Sequence, residues 1–200
     1  MVQPTVFVVD DDEAVRDALR LLLESAELKA ETYPCAQAFL DAYDPERTGC
    51  LVLDLRMPGL SGLDLQERLR ENNIALPVIM LTGHGDVPAA VRALKGGAVD
   101  FLEKPYDSEM LLGRIRQAID RDRQMREQSH RQAAVAERLE HLTPREREVL
   151  DMIVAGKANK VIAFELDISE RTVELHRARI MRKMGARSLP QLMRMLLYPS

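Results

Sequence analysis

Cysteine is scarce in this 200-residue chain: there are two, Cys35 and Cys50, on separate segments, with no second pair and no metal-ligand spacing. That excludes a disulfide framework and fits reduced thiols in a cytosol. No basic-then-apolar leader opens the sequence, and no apolar run approaches the roughly 20 residues that span a bilayer. The expectation is a cytoplasmic protein with no membrane partner. The polar excess of a disordered chain is missing too, since apolar residues make up 46% and charged ones 30%. A real core is within reach, and the length suits one large domain or, the better reading, two small ones.

The formal net charge of -4 is unevenly spread. Residues 1–124 hold 14 Lys+Arg and 22 Asp+Glu, net -8, whereas residues 125–200 hold 14 and 10, net +4. An acidic front half suits a cation-dependent module, and a basic back half suits an anionic polymer such as nucleic acid.

The front half alternates short apolar runs with helical patterns. "TVFVV" (5–9), "KAETY" (29–33), "CLVLDL" (50–55), "PVIML" (77–81) and "VDFLE" (99–103) read as strands, the second being the weakest. Between them, "EAVRDALRLLLESA", "AQAFLDAY", "SGLDLQERLRE" and "DVPAAVRALKG" space apolar residues three and four apart, with Ser61 and Asp86 as N-caps. A fifth helix from Asp107 to about Arg126 turns Met110, Leu111, Ile115, Ala118 and Ile119 one way. Nearly continuous apolar strands separated by helices belong to a parallel sheet covered on both faces. The fold class is therefore α/β, a doubly wound five-stranded parallel sheet, over residues 1–124. Residues 125–139, polar and free of Gly and Pro, read as a helical linker whose apolar register is too broken for a coiled coil. Residues 140–200 read as a second, all-α domain of four helices, opened by a capping box at Thr143, Pro144 and Glu146.

In doubly wound sheets, ligands sit beyond the carboxyl ends of the strands, where the winding reverses. At those ends lie Asp10 and Asp11, Asp54, Thr82 and Lys104. The run "VFVVDDDE" gathers four acids behind a buried strand, which calls for either an exposed helix start or a cation site. Both apply: Asp12 and Glu13 suit the positive end of the next helix, whereas Asp11 and Asp54 are the hard oxygen ligands that Mg²⁺ prefers. Asp10 would act through a bound water, and the backbone carbonyl of Arg56 would complete the shell. A carboxylate repels an incoming phosphoryl group unless cations neutralise it, a task suited to the metal and Lys104, while Thr82 offers a hydroxyl to a phosphoryl oxygen. The product would be an aspartyl phosphate on Asp54.

At "VVDDDE", "VLDLRMPGLSGLDL", "IMLTGHGD" and "GAVDFLEKP" the chain resembles the receiver domain of bacterial two-component response regulators. The resemblance implies that the sheet has the strand order 2-1-3-4-5, that Asp54 accepts the phosphoryl group and that Asp10 and Asp11 form the acidic pair. It also implies that Thr82 and Lys104 are the switch and phosphate-pairing residues, that Phe101 is the aromatic switch, and that Lys104-Pro105 is cis. Phe101 also reads as a core aromatic. Arg56 and His84, each two residues beyond a site residue, fall where the family's variable residues tune phosphoryl lifetime.

In the basic half, "NKVIAFELDISERTVELHRARIMRKMG" has the layout of a helix-turn-helix, with Ala163, Leu166, Ile168, Val173 and Ile180 filling the interior of the pair. From Arg171 to Arg187 there are six Lys+Arg against one Asp+Glu, a stripe for phosphate contact or simply a solvated helix face. "LTPREREVL", "NKVIAFEL", "SERTVELH" and the closing I-x-x-K resemble the LuxR-type DNA-binding domain, so the whole chain is similar to FixJ-type regulators of the NarL/FixJ subfamily. On that resemblance Lys160, Thr172, His176 and Lys183 position phosphates, Glu174, Leu175, Ala178 and Arg179 face bases, and Arg177 serves either. His176 also reads as a helix-packing residue. The implied function is a transcriptional regulator, not an enzyme, switched by a sensor histidine kinase, dependent on Mg²⁺, and pairing as a homodimer on double-stranded DNA. RNA polymerase is a further candidate partner. Two rivals stand beside this reading. A Mg²⁺-dependent phosphohydrolase would want an acid-base carboxylate where Arg56 stands, and a constitutive dimerisation module would need no phosphate.

Overall fold

The computed structural model describes residues 3–83 and 87–197, without the side chains of residues 87–90. Asp86, expected as an N-cap, and His84 lie outside the described residues. The chain divides into two compact units, Met1–Met125 and Arg126–Ser200.

The first unit is a five-stranded, wholly parallel sheet of order β2-β1-β3-β4-β5, formed by β1 (Thr5–Val9), β2 (Lys29–Tyr33), β3 (Gly49–Asp54), β4 (Val78–Thr82) and β5 (Asp100–Glu103). Helices α1 (Glu13–Ser25), α2 (Ala36–Ala42), α3 (Gly62–Glu71), α4 (Val87–Lys95) and α5 (Ser108–Glu140) connect and follow the strands. Strand side chains alternate between faces, so each buried strand feeds two cores. Phe7, Val9, Leu51, Leu53 and Met80 pack with Phe39, Leu65, Leu69 and Ala93 on one face. Val6, Val8, Cys50, Val52, Ile79 and Leu81 pack with Leu19, Leu23, Leu111 and Ile115 on the other. That two-sided burial is why β1, β3 and β4 are buried throughout and apolar except at their ends, while β2 and β5, at the edges, are not. Met110 departs from expectation: it is exposed, because the buried stripe of α5 runs through Leu111, Leu112, Ile115 and Ala118.

The second unit packs α6 (Pro144–Val154), α7 (Asn159–Glu165), α8 (Glu170–Met184) and α9 (Leu189–Leu197) around Val149, Leu150, Ile162, Val173, Ile180, Met184 and Leu192. Thr143 caps α6 with the expected reciprocal bonds to Glu146, and α8 ends at Gly185, whose φ of 67° is a left-handed stop. The segment read as a linker is the last part of α5, and its Val135 and Leu139 pack against this core.

Candidate functional site

The first site lies where β1 and β3 end, the point at which the strand order reverses. Asp10, at the end of β1, is 2% exposed, and Asp54, at the end of β3, is 7% exposed. Lys104, just past β5, reaches both: its Nζ donates to Asp10 Oδ2 at 2.8 Å and to Asp54 Oδ1 at 2.5 Å. The Arg56 N–H donates to Asp54 Oδ2 at 2.7 Å, so both carboxylate oxygens are held. Burial pushes the Asp54 carboxyl above its ordinary value, against the pull of Lys104 and with the help of Asp10. Burial also disfavours the charge on Lys104, but its bonds to Asp10 and Asp54 outweigh this and raise its value. The cluster is thus two anions balanced by one cation, one charge short of neutral.

The acids of "DDDE" divide their work. Asp12 is the N-cap of α1, accepting from the Ala14 N–H at 2.8 Å, and Glu13 occupies the first turn. Asp10 Oδ1 accepts from the Asp12 N–H at 2.9 Å, which turns its other oxygen toward Lys104. Asp11 is exposed. Among the described residues no group of three or more His, Cys, Asp or Glu converges closely enough to hold a metal, so Asp10, Asp11 and Asp54 are not gathered as a set. Lys104 stands between two of the acids, and the third, Asp11, is exposed. Mg²⁺ keeps several waters and takes only one or two carboxylates, and the oxygen donors at this edge suit it in kind.

Thr82, at the end of β4, is buried, and its Oγ1 donates to Gly83 O at 3.2 Å. Phe101 on β5 is 38% exposed, so the core role expected for it is not what the structure shows. The Lys104-Pro105 bond is cis. Sequence reasoning missed Arg16, one turn into α1, whose Nη1 donates to Asp10 O at 2.8 Å and Asp11 O at 3.0 Å and so fixes the acidic loop. A lone Arg on a helix carries no signal that separates this role from a solvated charge.

The second site is the outer side of α8. Val173, Ile180 and Met184 are buried, which leaves Glu174, Leu175, Ala178 and Arg179 exposed on the remaining surface. Lys160 on α7 is exposed, and Arg177 is half-buried. Ser169 caps α8, accepting from the Thr172 N–H at 3.1 Å, and its hydroxyl lies 2.8 Å from that of Thr172. His176 is half-buried with an enclosed Nδ1 that has no hydrogen-bond partner, in line with its helix-packing reading. Lys183 is engaged within the unit: Nζ donates to Glu146 Oε2 at 2.6 Å and to His141 O at 3.0 Å. An ammonium has three donors, so one remains for an outside acceptor.

Comparison with known proteins covers both sites. The response regulator receiver domain family matches residues 6–116, and the luxR family of bacterial regulatory proteins matches residues 140–196. The chain is 49% identical over 192 residues to the transcriptional regulatory protein FixJ of Azorhizobium caulinodans, covering 96% of this chain and 91% of that one. It is 46% identical over 207 residues to FixJ of Rhizobium meliloti, covering 98% and 97%. Among solved structures, the response regulator StyR aligns with a TM-score of 0.89 at 45% identity, over 98% of this chain and 99% of that one. Full-length FixJ from B. japonicum aligns at 0.62 and 44%, over 100% and 98%.

Proposed function

Because the chain belongs to the FixJ-type two-component response regulators, phosphorylation-controlled transcription regulators that join a receiver to a LuxR-type DNA-binding domain, we propose that Asp54 is its phosphoryl acceptor. The observation that carries this is the Lys104 bridge between Asp54 and Asp10 at the sheet's switch point. The donor is a phosphohistidine of a sensor kinase. An Asp54 carboxylate oxygen bonds to phosphorus as the P–N bond breaks, and the electron pair leaves with the imidazole. Asp10, Asp11, Asp54 and the Arg56 carbonyl would hold Mg²⁺, which supplies neutralising charge to the phosphoryl oxygens. Lys104, already between the two acids, pairs with the new phosphoryl oxygens. Thr82 turns its hydroxyl from Gly83 O toward them.

That hydroxyl movement is what reaches α4. Val91 and Leu94 on α4 and Phe101 on β5 are exposed apolar side chains, and we assign them to a phosphorylation-dependent homodimer surface. Pairing then places two copies of α8 on successive major grooves, with Glu174, Leu175, Ala178 and Arg179 toward bases and Lys160, Thr172, His176 and Lys183 toward phosphates. Arg177 serves either. No helix among the described residues is long and apolar enough to cross a membrane, and the protein works in the cytoplasm beside its DNA.

DNA affinity, measured with and without a small-molecule phosphoryl donor, tests the switch. Wild type should tighten on phosphorylation and Asp54→Asn should not. Equal tightening in the variant rules out Asp54 as acceptor. A protein that binds DNA tightly but takes up no beryllofluoride would instead be a constitutive dimer.

A further inference from the structure

Helix α3 buries Leu65 and Leu69, and between them Gln66, a polar side chain only 6% exposed. A buried carboxamide is costly unless its donors are used. Gln66 uses one on the neighbouring helix: Nε2 donates to Ala93 O at 2.9 Å. Ala93 is buried in the last turn of α4, and its carbonyl also accepts from the Ala98 N–H at 3.0 Å, where the chain turns toward β5. Gly96 is shaped to this contact, since a Cβ there would lie 3.1 Å from Gln66 Oε1 and 3.2 Å from Nε2. Two clefts flank this contact. A cleft of about 200 Å³ lined by Leu69, Ile74, Val78 and Val99 and another of about 280 Å³ lined by Leu63, Glu67, Arg92 and Lys95 both reach Gln66 and Gly96.

We infer that Gln66 is a positioning residue of the switch: it pins the C-terminal turn of α4 to α3, so that α4 reorients about Ala93 instead of sliding along its neighbour. The signal leaves Asp54 and Thr82 at the opposite, N-terminal end of α4. With one end held, a small displacement there becomes a rotation of the face carrying Val91 and Leu94. The inference rests on the reading of α4 as a pairing surface and adds the fixed point that such a rotation requires.

Amide hydrogen exchange on the full chain, with and without Mg²⁺ and beryllofluoride, tests it in wild type, Gln66→Leu and Gly96→Ala. The Gly96→Ala variant presses on the carboxamide without altering α3. In wild type, beryllofluoride should change exchange in the first turns of α4 and leave Gly96, Gly97 and Ala98 unchanged. Loss of one hydrogen bond should speed those three amides about fivefold in both variants. The beryllofluoride-induced change in dimer dissociation constant should shrink by a similar factor, with beryllofluoride uptake unaltered. Unchanged rates at residues 96–98 in both variants, or wild-type changes there as large as in the first turns, overturn the inference. If wild type takes up beryllofluoride and α4 exchange stays the same throughout, the switch reading fails instead, and the variants without beryllofluoride still decide the pin.

Discussion

Two buried carboxylates, one in each unit, respond to their surroundings in opposite directions. Asp54 is raised above its ordinary value of 3.8, with burial the largest cause. The folded state therefore binds that proton more tightly than the unfolded chain does, and an ionised Asp54 at neutral pH costs stability. Asp54→Asn should raise the melting temperature of the receiver while abolishing phosphorylation, and calorimetry beside a phosphorylation assay checks both. Glu146 is lowered from 4.5 to about 2, chiefly by its hydrogen bond from Lys183, with the Thr143 N–H helping against burial. Its contribution is complete above 4.5 and is lost as pH falls toward about 2. Acid titration of the DNA-binding domain's melting temperature should show a decline in that window, and Glu146→Gln should remove most of it. The pair also ties the two ends of the unit together, because Lys183 holds α8 to the start of α6 and keeps one N–H for an outside acceptor, the role proposed for it on DNA.

At the scale of elements, β3 begins under tight constraint. Gly49 has a φ of 149°, and a Cβ on it would lie 1.8 Å from Thr5 O of β1. Its N–H donates to Asp122 Oδ2 at 2.9 Å, and Asp122, on α5, is 1% exposed. Gly49→Ala should cost at least about 2 kcal/mol through strain and strand separation, and Asp122→Leu about 1–3 kcal/mol by stranding a buried donor. Denaturant unfolding of the receiver measures both. None of this was legible in the sequence, where "TGC" looks like any loop end and Asp122 like one more charge in a polar helix. The same holds for Gln66 and Arg16, whose partners are 27 residues away and on a loop backbone respectively. What the sequence did disclose rests on periodicity and on chemistry placed at strand ends. Three apolar runs and two weaker edge patterns disclosed the sheet, and Asp10, Asp54 and Lys104 meet at its strand ends, whereas Asp11 stays exposed. The N-cap at Ser61 and the capping box at Thr143 were equally readable, because their partners lie within four residues. Contacts between distant segments without a repeating pattern were not.

On the whole-molecule scale, an acidic receiver, net -8 over residues 1–124, and a basic DNA-binding half, net +4, divide the work between a phosphorylation switch and an anionic polymer. Phosphate contacts belong to the basic half, so the change that a substitution there makes in the salt dependence of DNA binding should report the second unit. Each phosphate engaged contributes about -0.9 to the slope of log affinity against log salt. Lys160 is exposed and forms no ion pair among those described, so Lys160→Ala should reduce the slope by about 0.9 and weaken all sequences equally. Arg179, exposed beside Glu174, Leu175 and Ala178, should behave differently: Arg179→Ala should relax preference at one base position, costing about 1–3 kcal/mol there. Lys183→Ala forms a third class, since it also strips Glu146 of its buried partner, and its loss of affinity should come with a lower melting temperature. Binding isotherms at several salt concentrations on specific and scrambled duplexes, read beside thermal melts, separate the three. If Lys160→Ala leaves the slope unchanged while Arg179→Ala lowers it, the two residues have exchanged roles, and α8 is turned in the groove from the orientation its buried stripe implies.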